Sequence, residues 1–261
     1  MPAINLAYLE FRLSGGASNA DPDASLGGVM SSTAIRSASA TGLSNISGLT
    51  ILDAPGSASG NGTLAWDITG GTLTWTPAGG SSGDPIVIAE DGRYAIPGSE
   101  GHLYVEAVYS SLPAQSESDT IAVTPIANAL WDNIGKAEAF AGDVEYRCAY
   151  ITNVHPTDPF IGAKLFIGSQ PTGADTLALA LDLAGIGDGS STGVADTVAD
   201  ENTAPDPSLT FAAPATLGTA LTVGQLAAGD AIAFWQQRTV PANTLTSTPE
   251  DRSHLIINAG Y

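Results

Sequence analysis

Cysteine is almost absent from this chain: Cys148 is the only one in 261 residues. An intramolecular disulfide and a multi-cysteine zinc site are therefore excluded. Charge is scarce too, with Asp, Glu, Lys and Arg together at 13%, against a usual share of about 25%. Lysine occurs only as Lys136 and Lys164, and eight bases face 27 acids, for a formal net charge of −19. The bases are scattered, so no stretch offers the positive patch that nucleic acid or an anionic membrane needs. No apolar run approaches the roughly 20 residues of a membrane-spanning helix. The opening residues show no basic segment followed by an apolar one, so no secretory leader is expected. These absences predict a soluble chain made in the cytoplasm, with no nucleic-acid partner and no membrane insertion.

What is present is apolar and small. Hydrophobic residues make up 43% of the chain, enough to build cores and to exclude global disorder. With so little charge, the surface must be covered by Ser, Thr, Asn, Gly and backbone. Such a surface suits extensive packing against neighbours.

The pattern along the chain is that of strands. Residues 6–13 read as an opening strand. Residues 14–45 are dominated by Ser, Ala, Gly and Thr, with an Asp21-Pro22-Asp23 turn and a Gly27-Gly28 pair. Large apolar residues are sparse there, so this stretch reads either as a flexible loop or as an extended arm that orders against a neighbouring subunit. From Leu49 to Thr124 short strands follow one another. Residues 63–68 and 72–76 flank Thr69-Gly70-Gly71, a tight hairpin signal. Residues 86–89, 93–96, 102–109 and 119–124 complete a small sandwich or open barrel.

Residues 128–143 are the one place where a short helix is plausible, although Gly135 interrupts the spacing. A strand at 144–153 puts Tyr146, Cys148 and Tyr150 on one face, where Cys148 reads as a small buried hydrophobe. Further strands are expected at 163–169, 177–183, 209–212, 220–223, 230–239 and 253–258. Leu177, Leu179, Leu181 and Leu183 alternate with smaller or polar residues, the mark of a half-buried strand. Trp235 shares a face with Ala231 and Ala233 and is expected in a core. Residues 185–206 read as a long loop. The predicted fold is all-β, two antiparallel β-sandwich or barrel-like domains with little helix. An N-terminal strand and arm (1–44) pack with the larger C-terminal sandwich (126–261), and a smaller β domain (45–125) is inserted between them.

Chemistry is hard to find. His102, His155 and His254 have no His or Cys partner at metal-ligand spacing. No nucleophile elbow, phosphate loop or dinucleotide fingerprint occurs. Asp196, Asp200 and Glu201, with Asp182 or Asp188, could gather around calcium, but the regular calcium-loop spacing is missing. Nothing in the sequence brings two carboxylates together for glycoside cleavage. We therefore expect no catalytic, cofactor-binding or metal-binding residues, and no enzyme.

Several stretches carry a resemblance. Residues 142–153 (GDVEYRCAYITN), 198–205 (VADENTAP), 226–230 (LAAGD) and 235–242 (WQQRTVPA) resemble a family of tailed-bacteriophage virion proteins. Residues 10–17 (EFRLSGGA) and 24–28 (ASLGG) are similar to the start of those same proteins. The likeness spans 4–30 and 128–258, with 45–125 reading as an inserted module. The doubled arginine expected after Trp235 appears here as Gln237-Arg238.

Members of that family are structural or tail-associated, so the resemblance implies a virion component at the tail tip, baseplate or an associated fibre. It implies copies of itself and other virion proteins as partners, and it supplies no functional residues. Two other readings remain open. One is a capsid decoration or vertex protein. The other is a carbohydrate-binding module for a host-surface glycan, in which Trp66, Trp75 and Tyr94 would offer stacking rings.

Overall fold

The computed structural model describes residues 6–127, 129–244 and 254–259. Residues 1–5, and Asn128 and Ser253 at the ends of two expected elements, lie outside them. The chain is all-β, with antiparallel sheets and one short α-helix among the described residues.

Strand β1 (Leu9–Leu13) comes first, followed by β2 (Ala38–Thr41), β3 (Leu49–Asp53), β4 (Gly60–Asp67) and β5 (Thr72–Thr76). Next are β6 (Ile86–Val87), β7 (Gly92–Gly98), β8 (Gly101–Ala107) and β9 (Glu117–Pro125). Helix α1 (Lys136–Ala141) precedes β10 (Asp143–Asn153), β11 (Phe160–Ser169) and β12 (Thr176–Gly187). Strands β13 (Leu221–Leu226), β14 (Ala231–Val240) and β15 (His254–Ala259) end the series.

Two compact units result. One gathers the described residues up to Tyr8 with those of Arg36–Ala129, the other Leu9–Ile35 with the described residues from Leu130 onward. The first boundary thus falls at residue 36, where the sequence reading placed it at 45. Residues 38–41 (ASAT) carry no large apolar side chain, so they give no strand signal, yet they pair with residues 122–125 of β9.

The first unit has a five-stranded sheet, β2-β9-β4-β5-β6, and a three-stranded sheet, β3-β8-β7. Alternation puts Leu64 and Trp66 of β4, Leu73 and Trp75 of β5, Leu103 and Val105 of β8 and Ile121 of β9 into one core. The hairpin between β4 and β5 is held by Asp67, whose carboxylate accepts the N–H of Thr69 (3.1 Å) and of Gly70 (3.3 Å). Gly62 has a packing reason to lack a side chain: a Cβ there would lie 2.2 Å from Trp75 Cη2.

Asp119 of β9 is a buried pin in this unit. Its carboxylate accepts the N–H of Asn45 (2.7 Å) and of Thr120 (3.1 Å), and also that of Ser44. Burial alone would raise this carboxyl, but the donors from Asn45, Ser44 and Thr120 outweigh it and hold it below the usual range. Its contribution is therefore present above the ordinary carboxylate pKa and lost as pH falls through the lowered value. Asp119→Ala, which orphans these donors, should lower stability by about 1–3 kcal/mol in urea unfolding at neutral pH, and by less in acid.

The second unit pairs β1-β10-β14-β12 in one sheet and β13-β11-β15 in the other. Strand β10 is buried on both faces from Arg147 to Asn153. One face carries Cys148 and Tyr150 beside Ala231, Ala233 and Trp235 of β14. The side chains closing over that face come from outside the sheets: Leu26, Met30, Ala195, Val198, Leu209 and Phe211.

Residues 14–35 of the expected 14–45 stretch are thus not a loose loop. They fold against their own sheet because short polar side chains and glycines let the backbone turn and bond there. Gly27 (φ 92°) and Gly28 (φ 75°) take left-handed conformations that other residues adopt rarely. The Gly28 N–H donates to Ala195 O, the Val198 N–H to Leu26 O and the Met30 N–H to Gly189 O.

The short helix expected within 128–143 is α1, at Lys136–Ala141. One further expectation changes. In β12 the pairing with β14 slips between Leu181 and Ile186, so Leu177 and Leu179 are buried but Leu183 is 66% exposed. A bulge of this kind breaks the period-two pattern that the sequence continues through.

Candidate functional site

The densest group of polar side chains in the second unit lies at the start of the β10–β14 pair. Register places Glu145 opposite Arg238 and Arg147 opposite Gln236. Because side chains alternate, all four project from one face, the face opposite Cys148 and Trp235. Arg238 Nε donates to Glu145 Oε2 at 2.5 Å. Its other nitrogens reach Asp132, Nη1 to the backbone O at 2.8 Å and Nη2 to Oδ1 at 3.1 Å.

Arg147 is almost wholly buried, with 1% of its side chain exposed. Its Nη2 forms an ion pair with Glu201 and lies 3.6 Å from Asp23 and 3.8 Å from Asp132. Trp131 packs against both cations, its ring centroid 5.5 Å from Arg147 Cζ and 4.8 Å from Arg238 Cζ. These distances are within cation–π range. The Trp131 indole N–H donates to Gln236 Oε1 at 3.2 Å, which fixes the ring. Nε and Nη1 of Arg147 are buried without a hydrogen-bond partner, so the ring face and the nearby carboxylates carry its compensation.

Burial pushes the Glu145 carboxyl above its usual range, and Glu201 and Asp132 push the same way, against the opposing pull of Arg238. Oxygens of Asp132, Glu145 and Glu201 converge within 4.8 Å of one another, a spacing that a hard cation tolerates. Here the cations are supplied by the chain itself, as the guanidinium groups of Arg147 and Arg238. The arrangement is a charged framework in which two guanidinium groups engage the carboxylates of Asp23, Asp132, Glu145 and Glu201.

The calcium candidates from the sequence do not come together. Asp182 accepts the Trp235 indole N–H at 2.9 Å. Asp188 closes its own turn, accepting N–H bonds from Ser190, Ser191 and Thr192, which hold its carboxyl far below the usual range. Asp200 takes the Thr203 hydroxyl, and only Glu201 enters the charged cluster. His155 Nδ1 accepts the N–H of Asp158 at 2.8 Å and of Thr157 at 3.2 Å. His102 stands beside Tyr104, and the His254 side chain lies outside the described residues. Burial raises the Cys148 thiol well above its usual range, which makes it a poor nucleophile.

The stacking rings proposed for a glycan are also placed differently. Trp75 is fully buried, Trp66 is 3% exposed and donates its N–H to Pro113 O, and only Tyr94 is partly accessible. Trp66 and Trp75 cannot face a sugar without unfolding the first unit.

Sequence reasoning passed over Glu145, Arg147 and Arg238 because isolated charges on a strand read as solvent-facing. The available signal was the position of Arg147 and Glu145 inside a run otherwise expected to be core. No protein-family model, no curated protein and no solved structure matches the chain.

Proposed function

We propose that this chain is a non-enzymatic structural component of a tailed-bacteriophage virion, at the tail tip, the baseplate or an associated fibre, acting by symmetric assembly. One observation carries the reading. The stretches that resemble virion proteins, 10–17, 24–28, 142–153, 198–205, 226–230 and 235–242, all meet around the β10–β14 pair of the second unit. What they build there is framework: paired strands, a covered sheet face and a buried cluster of ion pairs. Rigid sandwiches of this kind present fixed side surfaces to symmetry-related copies.

Immunogold labelling of mature particles of the phage that encodes the chain tests the assignment. Gold at the tail end supports it, gold over the head shifts it to a decoration or vertex protein, and unlabelled particles overturn it.

Charge sets a condition on self-assembly. Among the described residues the buried charges nearly cancel, Asp119, Glu145 and Asp175 against Arg147 and Arg238, so burial relieves almost none of the formal charge of −19. Copies must then repel one another at low salt, where the screening length is about 30 Å at 0.01 M against about 8 Å at 0.15 M. Sedimentation velocity of the purified chain should show larger species as ionic strength rises. Association that weakens with salt would contradict assembly between acidic copies.

A further inference from the structure

Beyond the end of β1, the open edge of β10 is closed by two segments that belong to neither sheet. The Cys148 N–H donates to Ser25 O, the Cys148 carbonyl accepts the Ser14 hydroxyl, and the Tyr146 N–H donates to Glu201 O. Tyr150 joins the same two segments from the sheet: its hydroxyl donates to Gly28 O at 2.6 Å and accepts the Ala195 N–H at 2.9 Å. Residues 14–35 and 188–206 therefore form one cover, which meets β10 through separate hydrogen bonds and the apolar side chains of Leu26, Met30, Ala195 and Val198.

A single side chain joins both halves of that cover by charge. Arg147 reaches Asp23 in the first segment and Glu201 in the second, and also Asp132 in the stretch before α1. We propose that the two segments are a strap latched by Arg147. Releasing its carboxylates opens the strap and bares the β10 edge at Tyr146 and Cys148 while the rest of the sheet stays folded. A strand edge with free N–H and C=O groups is a ready site for pairing with another strand, so an opened strap would convert a closed edge into an assembly edge. The inference goes beyond the virion assignment and stands or falls separately from it, because it is read on the purified chain.

Cys148 lies under the strap, packed with Leu26, Met30, Ala195 and Val198. As the only cysteine it is a built-in reporter of opening. The test compares the full-length chain with Glu201→Gln, following Cys148 labelling by a thiol reagent, hydrogen exchange by mass spectrometry and the urea midpoint. The latch predicts that Cys148 labelling and exchange in both 16–32 and 189–203 outpace exchange of β14 in the parent. All three should quicken about tenfold in the variant while still outpacing β14, with the urea midpoint lowered by no more than that same factor.

A response confined to 189–203, an unchanged labelling rate, or Cys148 labelling and strap exchange no faster than the exchange of β14 would each overturn it. Asp23→Asn supplies the reciprocal arm, since that side chain is 62% exposed and lies outside both sheets. It should speed exchange in 189–203, a segment Asp23 does not belong to, by about threefold. No change there would also overturn the latch, even if Glu201→Gln failed to fold.

Discussion

Arg238→Ala should lower the unfolding free energy of the second unit by about 3–5 kcal/mol, because it leaves the buried Glu145 carboxylate without its cation. Glu145 is 2% exposed and Arg238 5% exposed, so water cannot replace the lost partner. The same substitution frees the Asp132 carbonyl and carboxylate and removes one of the two cations under Trp131. The loss should shrink as pH falls, since a protonated Glu145 needs no cation. The Glu145 carboxyl already sits above its usual range, so the shrinkage begins above the pH expected of an ordinary glutamate. Replacing both partners, as Glu145→Leu with Arg238→Met, should recover much of the loss, because two apolar side chains need no compensation there. Urea unfolding of the single and double variants at neutral and mildly acidic pH checks both statements. A single variant as stable as the parent would mean that the pair is solvated.

Trp75→Ala should lower the stability of the first unit by about 3–5 kcal/mol, the usual loss when a large buried aromatic is truncated. Trp75 is wholly buried among Leu64, Leu73, Ile96, Leu103 and Ile121. Its indole N–H has no partner, so the loss comes from apolar contact and cavity formation alone. Gly62 gives a sharper form of the test. Gly62→Ala should itself destabilise by about 1–3 kcal/mol through overpacking, because the new methyl meets the Trp75 ring. In the Trp75→Ala background that methyl loses the ring it would have struck, so the two losses should not add. Hydrogen exchange of β4, β5 and β7 in the four chains reads the coupling. Additive effects would mean that the ring moves aside at no cost.

The strand content of this fold is legible in the sequence wherever alternation is strict. Residues 63–67, 72–76, 102–107, 119–124, 144–153 and 231–239 were all expected as strands and all pair as such. Alternation fails where the backbone departs from regular pairing. Leu183 continues the leucine pattern but falls in the β12 bulge, and no residue there announces the slip. Strand β2 is invisible for the opposite reason, since Ala38, Ser39, Ala40 and Thr41 are too small to declare a buried face.

Residues 188–206 are loop, as the sequence reads them; what it does not show, for them or for 14–35, is where they pack, because their hydrogen bonds depend on partners far away in the chain. Ser14 meets Cys148 and Leu26 meets Val198, and composition alone describes such segments as loops. The charged cluster needed register: Glu145 and Arg238 are 93 residues apart, and only the β10–β14 pairing sets them opposite each other.

We propose that this chain works as part of a particle. Cryo-EM of mature virions of the encoding phage tests it most directly. The account predicts density for both β-sandwich units, repeated by symmetry at the tail end and contacting neighbouring virion proteins. Particles complete without any such density, together with a purified monomer that turns over a substrate, would contradict it.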